Sequence, residues 1–590
     1  MRLKMSRYTF DTVSSVTMRR SKLNQGHRVK TTMRVGDLVP VDVREVLPGD
    51  NWTCKEGHLV RLSSAYLRPI MDNVFMDVYE FFVPLRLLYD NIDGVFGNAA
   101  PNAYVNEDLD EFPSFDDEIT VPEKTVGDYL GLPTGQKLPK GINALKFRGF
   151  ALIYDEWFRN QNTVSPMLVQ KGDVIDAEYP NNDVWSPNNY SGKLPKVGKK
   201  NDYFTSCLPA PQKGAEVTIG IGNSAPVTAK VDIPASTPWV KNSNQSNVSI
   251  SDSFSPSWRV VNSSGSTVFP GVSRYDLSSW NPVSGMGGYT VGDASSSTSN
   301  SALYLALQAQ IPAQSIPISG IADLSNVSAA SVNDLRFAFQ LQKMLEKDAR
   351  GGSRMREYLL THYGVHNSDA RMQVPEFLGG RRTPLNLQQV AQTSQGTEDS
   401  PLASLGGYSQ TLGRSGYRKA FTEHGYIYTI ACIRYEHSYQ QGIDKSWFRN
   451  SRNDFYDPLF ANLGEQPVYL SQIYGYASAN LDSDGDSDLK AHAFGYQEAW
   501  ADYRYAPDIV TGEMRSTATN SFDVYHFADY YSSSPVLTQD FTNETASFFR
   551  RTTAVGDNAD VDDFIVDFYF DCYAYRVMPV RSIPGLIDHH

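Results

Sequence analysis

A chain of 590 residues, 41% hydrophobic and 20% charged, is long enough to bury a large core and is not composed like a disordered one. Its four cysteines (Cys54, Cys207, Cys432 and Cys572) are widely spaced without any C-x-x-C, which argues against a disulfide scaffold or a cysteine zinc site and for assembly in a reducing cytoplasm. No apolar run approaches the roughly 20 residues that span a bilayer, and the first residues, MRLKMSRYTF, lack the apolar stretch of a secretory signal.

The net charge of −13 is unevenly spread. Residues 1–34 hold nine basic side chains, Arg2, Lys4, Arg7, Arg19, Arg20, Lys22, Arg28, Lys30 and Arg34, against the single acid Asp11. This arm is therefore +8 and the remainder −21, a pattern that fits a polyanion contact at one end. A solvated tail, or a clamp that laces neighbouring subunits, fits the same charge.

From residue 35 the pattern turns to strands. Val39, Val41 and Val43 alternate with Pro40, Asp42 and Arg44, and VLPGDNW (46–52) supplies a Pro-Gly turn. VFMDVYEFFVP (74–84), GYIYTIACIRYEHSY (425–439) and FIVDFYFDCYAYRVMPV (564–580) are β-branched or aromatic runs that predict further strands. They cluster towards the two ends of the chain, as in a sheet closed by sequence-distant strands.

Helices are fewer. One is predicted within 143–161 and a clearer one at 332–350, where Ser331 and Asp334 fit a capping box and Leu335, Ala338, Phe339 and Leu345 share a face. Between them residues 241–330 contain 23 serines with three basic and four acidic side chains, yet Trp258, Tyr275, Trp280 and Tyr289 argue against complete disorder. The chain therefore divides into a basic arm (1–34), a first β-rich part (35–162), a Ser-rich projecting insertion (163–330) and a second β-rich part (331–590).

Searches for chemistry return little. G-x-S-x-G, a Walker lysine motif and HExxH are all missing from the sequence. His362 and His366 stand four apart without a general-base glutamate, and DSDGDSD (482–488) lacks the terminal bidentate acid of a calcium loop, so an acidic solvated turn is the expectation and neither metal nor cofactor is assigned. FGYQEAWADYRY (494–505) packs five rings around Glu498 and Asp502. Tyr496, Trp500 and Tyr503 fall at helical spacing, so a short helix would present them as one aromatic face, while the two acids suit ion pairing with nearby arginines better than acid–base work.

Several stretches, in order along the chain, resemble the major capsid proteins of the Microviridae, in particular the gokushovirus branch. They include MDNVFMDVYEFFVPLRLL (71–88), LIYDEWFRNQN (152–162), FQLQKMLEKDARGGSRMREYLLTHYGV (339–365), DARMQVPEFLGGRRTPLN (369–386), FTEHGYIYTIACIR (421–434), YQQGIDKSWFRNSRNDFYDPLFANLGEQPV (439–468), FGYQEAWADYRYAPDIVTGEMRSTA (494–518) and MPVRSIPGLIDH (578–589). The resemblance implies an all-β fold, an eight-stranded antiparallel jelly roll with large inter-strand insertions and a few helices. It also implies a non-enzymatic structural protein of the virion, a homo-oligomer closing into a T=1 icosahedral shell around circular single-stranded DNA and assembled in the bacterial cytoplasm with other phage structural or scaffolding proteins. On that reading the nine basic residues of the arm are DNA-contact candidates, and Tyr496, Trp500, Tyr503 and Trp447 are interface or packing candidates. Ser295, Ser296, Ser297, Trp258 and Trp280 of the insertion are candidates for contact with a bacterial cell-surface receptor. A phage spike or adhesin, or a β-rich carbohydrate-binding protein, would share the aromatic and Ser-rich character.

Overall fold

The alternating run at Val39 opens one of a series of strands that pair as nested partners. In chain order these are β1 (Ser21–Asn24), β2 (His27–Met33), β3 (Val39–Val46), β4 (Asn51–Leu62), β5 (Val74–Pro84), β6 (Glu376–Leu385), β7 (Thr411–Ala420), β8 (Gly425–Tyr435) and β9 (Phe564–Arg576). The structure, a computed structural model, describes residues 19–96, 111–167, 169–173, 192–217, 332–386, 411–555 and 561–581. Between 227 and 322, and at 389–391 and 405–408, it describes short strands by their backbone.

The first strand of the body pairs with the last, and the nesting continues inward: β2 with β9, β3 with β8, β4 with β7 and β5 with β6, all antiparallel. Rolled up, this long folded hairpin gives two facing sheets, β2–β9–β4–β7 and β6–β5–β8–β3. That is the expected eight-stranded antiparallel jelly roll. The short β1 continues the β2 edge, pairing Ser21–Asn24 with Tyr573–Arg576, so the basic segment is ordered strand from Ser21 onward.

The turn at Pro48-Gly49 joins β3 to β4, with Gly49 at φ 87°, a left-handed conformation that glycine adopts without strain. The long insertions fall between β5 and β6 (residues 85–375) and between β8 and β9 (436–563). Helix α1 (Leu145–Ile153), extended by a wider turn over Tyr154–Phe158, lies against β8. A Cβ on Gly149 would stand 2.1 Å from the Tyr428 hydroxyl, which donates to the Lys146 carbonyl at 2.9 Å. β8 is accordingly buried along almost its whole length, whereas β9 keeps strict alternation of buried and accessible residues.

Between the sheets lie Trp52, Val60, Phe564 and Phe568. A second core, built on Tyr203, Phe204, Phe494 and Phe541, forms within the insertions. A buried charged hub ties the two insertions to each other. His437 Nδ1 meets Asp529 at 2.7 Å, His437 Nε2 meets Glu544 at 2.9 Å, and Lys199 Nζ meets Asp529 at 2.9 Å.

Cysteine pairing departs from the sequence expectation. Cys54 and Cys572 are direct partners across β4 and β9 and form a disulfide, while Cys207 and Cys432 are buried and free. The two bonded residues are 518 apart in the chain, so spacing alone could not pair them.

A second compact unit, Val217–Leu341, is a β structure of its own. Its first and last strands, Val227–Ala229 and Gly320–Ala322, pair with each other. Between them a six-stranded antiparallel sheet runs from Val260–Asn262 to Asn281–Val283. Ahead of this unit, Leu194, Val197, Tyr203 and Phe204 belong to the cores of the main body. The predicted helix at 332–350 is α2 (Val332–Gly351), followed by α3 (Met355–Tyr363). Leu335 and Phe339 of its predicted apolar face are exposed, as is Phe337.

Candidate nucleic-acid and assembly surfaces

Because β-strands alternate sides, strict pairing fixes which residues share the outer face of the β2–β9–β4–β7 sheet. Along β9 these are Ile565, Asp567, Tyr569, Asp571, Tyr573 and Tyr575. On one side Lys30 stands opposite Asp567, Arg28 opposite Tyr569 and Lys22 opposite Tyr575. On the other side Arg61 stands opposite Ile565 and Lys55 opposite Asp571, and beyond them Arg414 and Arg418 of β7 face Gly57 and Thr53. Seven basic side chains and two aspartates make this face +5 on a chain of net −13.

The three tyrosines form a column between the two basic flanks, with Tyr569 and Tyr575 exposed. Lys22 Nζ lies 4.0 Å from the Tyr573 ring centre and the Arg28 guanidinium 5.4 Å from that of Tyr569. A flat sheet face with rings in the middle and cations on either side can hold an extended polyanion that carries planar groups.

The arm residues divide accordingly. Lys22, Arg28 and Lys30 stand on this face, and Arg19 and Arg20 are exposed just before it. Arg34, at the end of β2, pairs with Asp562 at 2.8 Å. Arg2, Lys4 and Arg7 lie outside the described residues. The arm's charge led to part of the patch, but Lys55, Arg61, Arg414, Arg418 and the tyrosines were missed. Their signal was the alternation in FIVDFYFDCYAYR, which puts all three tyrosines on one side of a strand.

The aromatic stretch 494–505 does not form a helix. Ala493–Gln497 is a strand paired with Gln466–Tyr469, and Tyr496 also exchanges backbone hydrogen bonds of 2.8 Å with Leu208. Trp500 then adopts a left-handed φ of 62° and leads into a single turn at Ala501–Tyr503. The expected single aromatic face is therefore split. Phe494 joins the core of Phe204 and Phe541. Trp500 is buried, donates from Nε1 to the Phe460 carbonyl at 2.9 Å, and meets Tyr456 edge-on at 5.7 Å. Tyr503 lies beside it, under the Arg449 guanidinium at 4.1 Å. The carboxylates are ion-paired, Asp502 with Arg449 and Lys445, and Glu498 with Arg504.

Several large apolar side chains of residues 447–463 are exposed. Trp447 is 75% and Leu459 88% exposed, with Phe455 and Leu463 about half exposed. Ser295, Ser296, Ser297, Trp258 and Trp280 lie outside the described residues. DSDGDSD is an exposed turn in which Asp482 accepts from the backbone amides of Asp484 and Asp486. His362 pairs with Asp348 at 2.9 Å, and no group of residues able to hold a metal occurs among the described residues.

A jelly roll of nested strands occurs in viral capsid proteins and in lectins alike, and similarity to known proteins distinguishes them. Residues 11–586 match the family described as capsid protein (F protein). The chain belongs to this phage capsid protein family. It is 35% identical to "Capsid protein VP1" of Spiroplasma virus 4 over 96% of this chain and 95% of that protein. It is 34% identical to "Capsid protein VP1" of Bdellovibrio phage phiMH2K over 98% of both chains. Against "Capsid protein VP1" of Chlamydia phage 1 it is 35% identical over 98% of this chain and 97% of that one. The resemblance to Microviridae major capsid proteins thus extends over nearly the full length. As a member of a capsid family the chain is a virion component that assembles with other copies of itself. Among the described residues no helix is long and apolar enough to cross a membrane.

Proposed function

We propose that copies of this chain close into a T=1 icosahedral shell around the circular single-stranded DNA of a small bacteriophage, with no catalytic role. The reading rests on one observation above all: an eight-stranded jelly roll carried on a chain that matches phage capsid proteins from end to end. The shell assembles in the bacterial cytoplasm with the help of the phage's other structural or scaffolding proteins. The basic arm and the sheet face that continues it contact the genome, and the Ser-rich insertion contributes to binding a cell-surface receptor. Trp447 and its apolar neighbours, together with the exposed rim of the Trp500–Tyr503 cluster, meet adjacent subunits. Rims of this kind suit interfaces that bury about 1,200–2,000 Å² each.

Expression with the phage's other structural genes, followed by sedimentation and negative-stain microscopy, tests the proposal. Closed particles of one uniform size are expected. Monomers or dimers alone, with those genes present, overturn it.

A further inference from the structure

The tyrosine column on β9 asks for more than charge neutralisation. Resting on the capsid reading above, we propose that the outer face of the β2–β9–β4–β7 sheet is a base-stacking platform for single-stranded nucleic acid. Tyr569, Tyr573 and Tyr575 take unpaired bases on their rings, and the lysines and arginines of β1, β2, β4 and β7 take the phosphates on either side.

Three observations carry the assignment. The first is position: the three rings all point out of the sheet, with Tyr569 and Tyr575 exposed, where an ordinary solvated face would carry short polar groups. The second is spacing. Two residues along a strand cover about 6.8 Å, too far for Tyr573 and Tyr575 to stack on one another, so neither ring occupies the face of the other. The third is charge, because a +5 face attracts a polyanion such as a phosphate backbone.

Lys22 and Arg28 now rest over Tyr573 and Tyr569. Both side chains are long enough to swing outward to a phosphate as a base takes their place, so the unloaded face keeps its rings covered. A duplex cannot use this surface, because its bases are stacked and paired. Contacts of this kind tolerate any sequence, since every base has a flat face.

The test uses the full-length subunit and three probes of equal length: an oligo-dT strand, an abasic strand with the same phosphates, and a duplex. The subunit should bind oligo-dT at least tenfold more tightly than the abasic strand. Replacing Tyr569, Tyr573 and Tyr575 together by Ser should weaken oligo-dT binding at least tenfold, leave abasic binding unchanged and keep the slope of affinity against salt. Phe at the same three positions should restore binding, which also controls for loss of fold. Replacing Arg28, Lys30 and Arg418 by Ser should weaken both strands and flatten the salt slope by about 2, at roughly 0.7 per phosphate released.

Equal wild-type affinity for oligo-dT and the abasic strand, equal or tighter duplex binding, or a Ser variant that holds oligo-dT as the wild type does would each overturn the proposal. So would a Ser variant that loses self-association and keeps oligo-dT binding, since the face would then be a contact between copies. Particle formation by the wild type is scored separately. Its failure removes the capsid reading, whereas normal particles with unaltered oligo-dT binding by the Ser variant remove this inference alone.

Discussion

His437 is buried between two carboxylates, and that placement makes stability depend on pH. Burial alone would lower its pKa, but Asp529 and Glu544 outweigh it and raise the value to about 9. A histidine whose folded pKa exceeds its ordinary 6.5 contributes stability that is full below pH 6.5 and is lost as pH rises through 9. Glu80 adds to the same trend. Buried between the sheets near Glu56, and only partly relieved by a hydrogen bond from Ser415, its carboxyl is pushed up to about 7. The folded state thus holds a proton that the unfolded chain releases near 4.5, and stability falls between pH 4.5 and 7. Glu80→Gln should abolish the lower part of this decline and stabilise the subunit at pH 8, and His437→Gln should abolish the upper part, each effect being on the order of 3 kcal/mol. Denaturant unfolding from pH 4.5 to 9 reads both, and a flat wild-type profile would refute both assignments. At Trp500 the burial and the bond to the Phe460 carbonyl predict a loss of roughly 3–5 kcal/mol on replacement by Ala. An unchanged melting temperature would make that ring peripheral.

Elements are held in place by close approaches that composition does not reveal. Helix α1 reaches β8 because Gly149 has no side chain where the Tyr428 ring passes. Gly149→Ala should cost about 1–3 kcal/mol by overpacking, and less in a Tyr428→Phe background, where the clashing hydroxyl is gone. A thermal-melting double-mutant cycle measures this coupling, and strictly additive effects would show that the helix yields without touching Tyr428. The stretch 494–505 shows the opposite case, in which local pattern is overruled. Its i, i+4, i+7 spacing suits a helix, but Tyr496 is drawn into a strand by Gln466–Tyr469 and Leu208, and Trp500 turns left-handed to bury its ring. Pairing with distant strands outweighed a helical preference worth only tenths of a kcal/mol per residue.

At the scale of the whole molecule, the jelly roll and Val217–Leu341 fall in separate compact units, and the strands Val227–Ala229 and Gly320–Ala322 of the second unit pair with each other. Replacing GDASSSTSNSA (292–302) with a short Gly-Ser linker should therefore leave the melting of the main body and the particle size unchanged while altering adsorption to cells. Loss of particles would make the segment architectural instead.

The sequence by itself determined the strands at 74–84, 425–435 and 564–576, the helix at 332–351, the positive arm and the family, because each is written in a local period, a local charge or an ordered run of residues. Ion pairing of Glu498 and Asp502 was equally readable, since acids beside arginines leave few alternatives. Only the tertiary structure decided what depends on register between strands hundreds of residues apart. Cys54 meets Cys572, and Lys22, Lys55, Arg418 and Tyr573 come onto one face, solely because β9 lies between β2 and β4. A slip of one residue in either pairing would turn the tyrosines into the core and the phenylalanines into water. The physical reason is that alternation along a single strand says which residues share a side, whereas the burial of a common core says which side faces out.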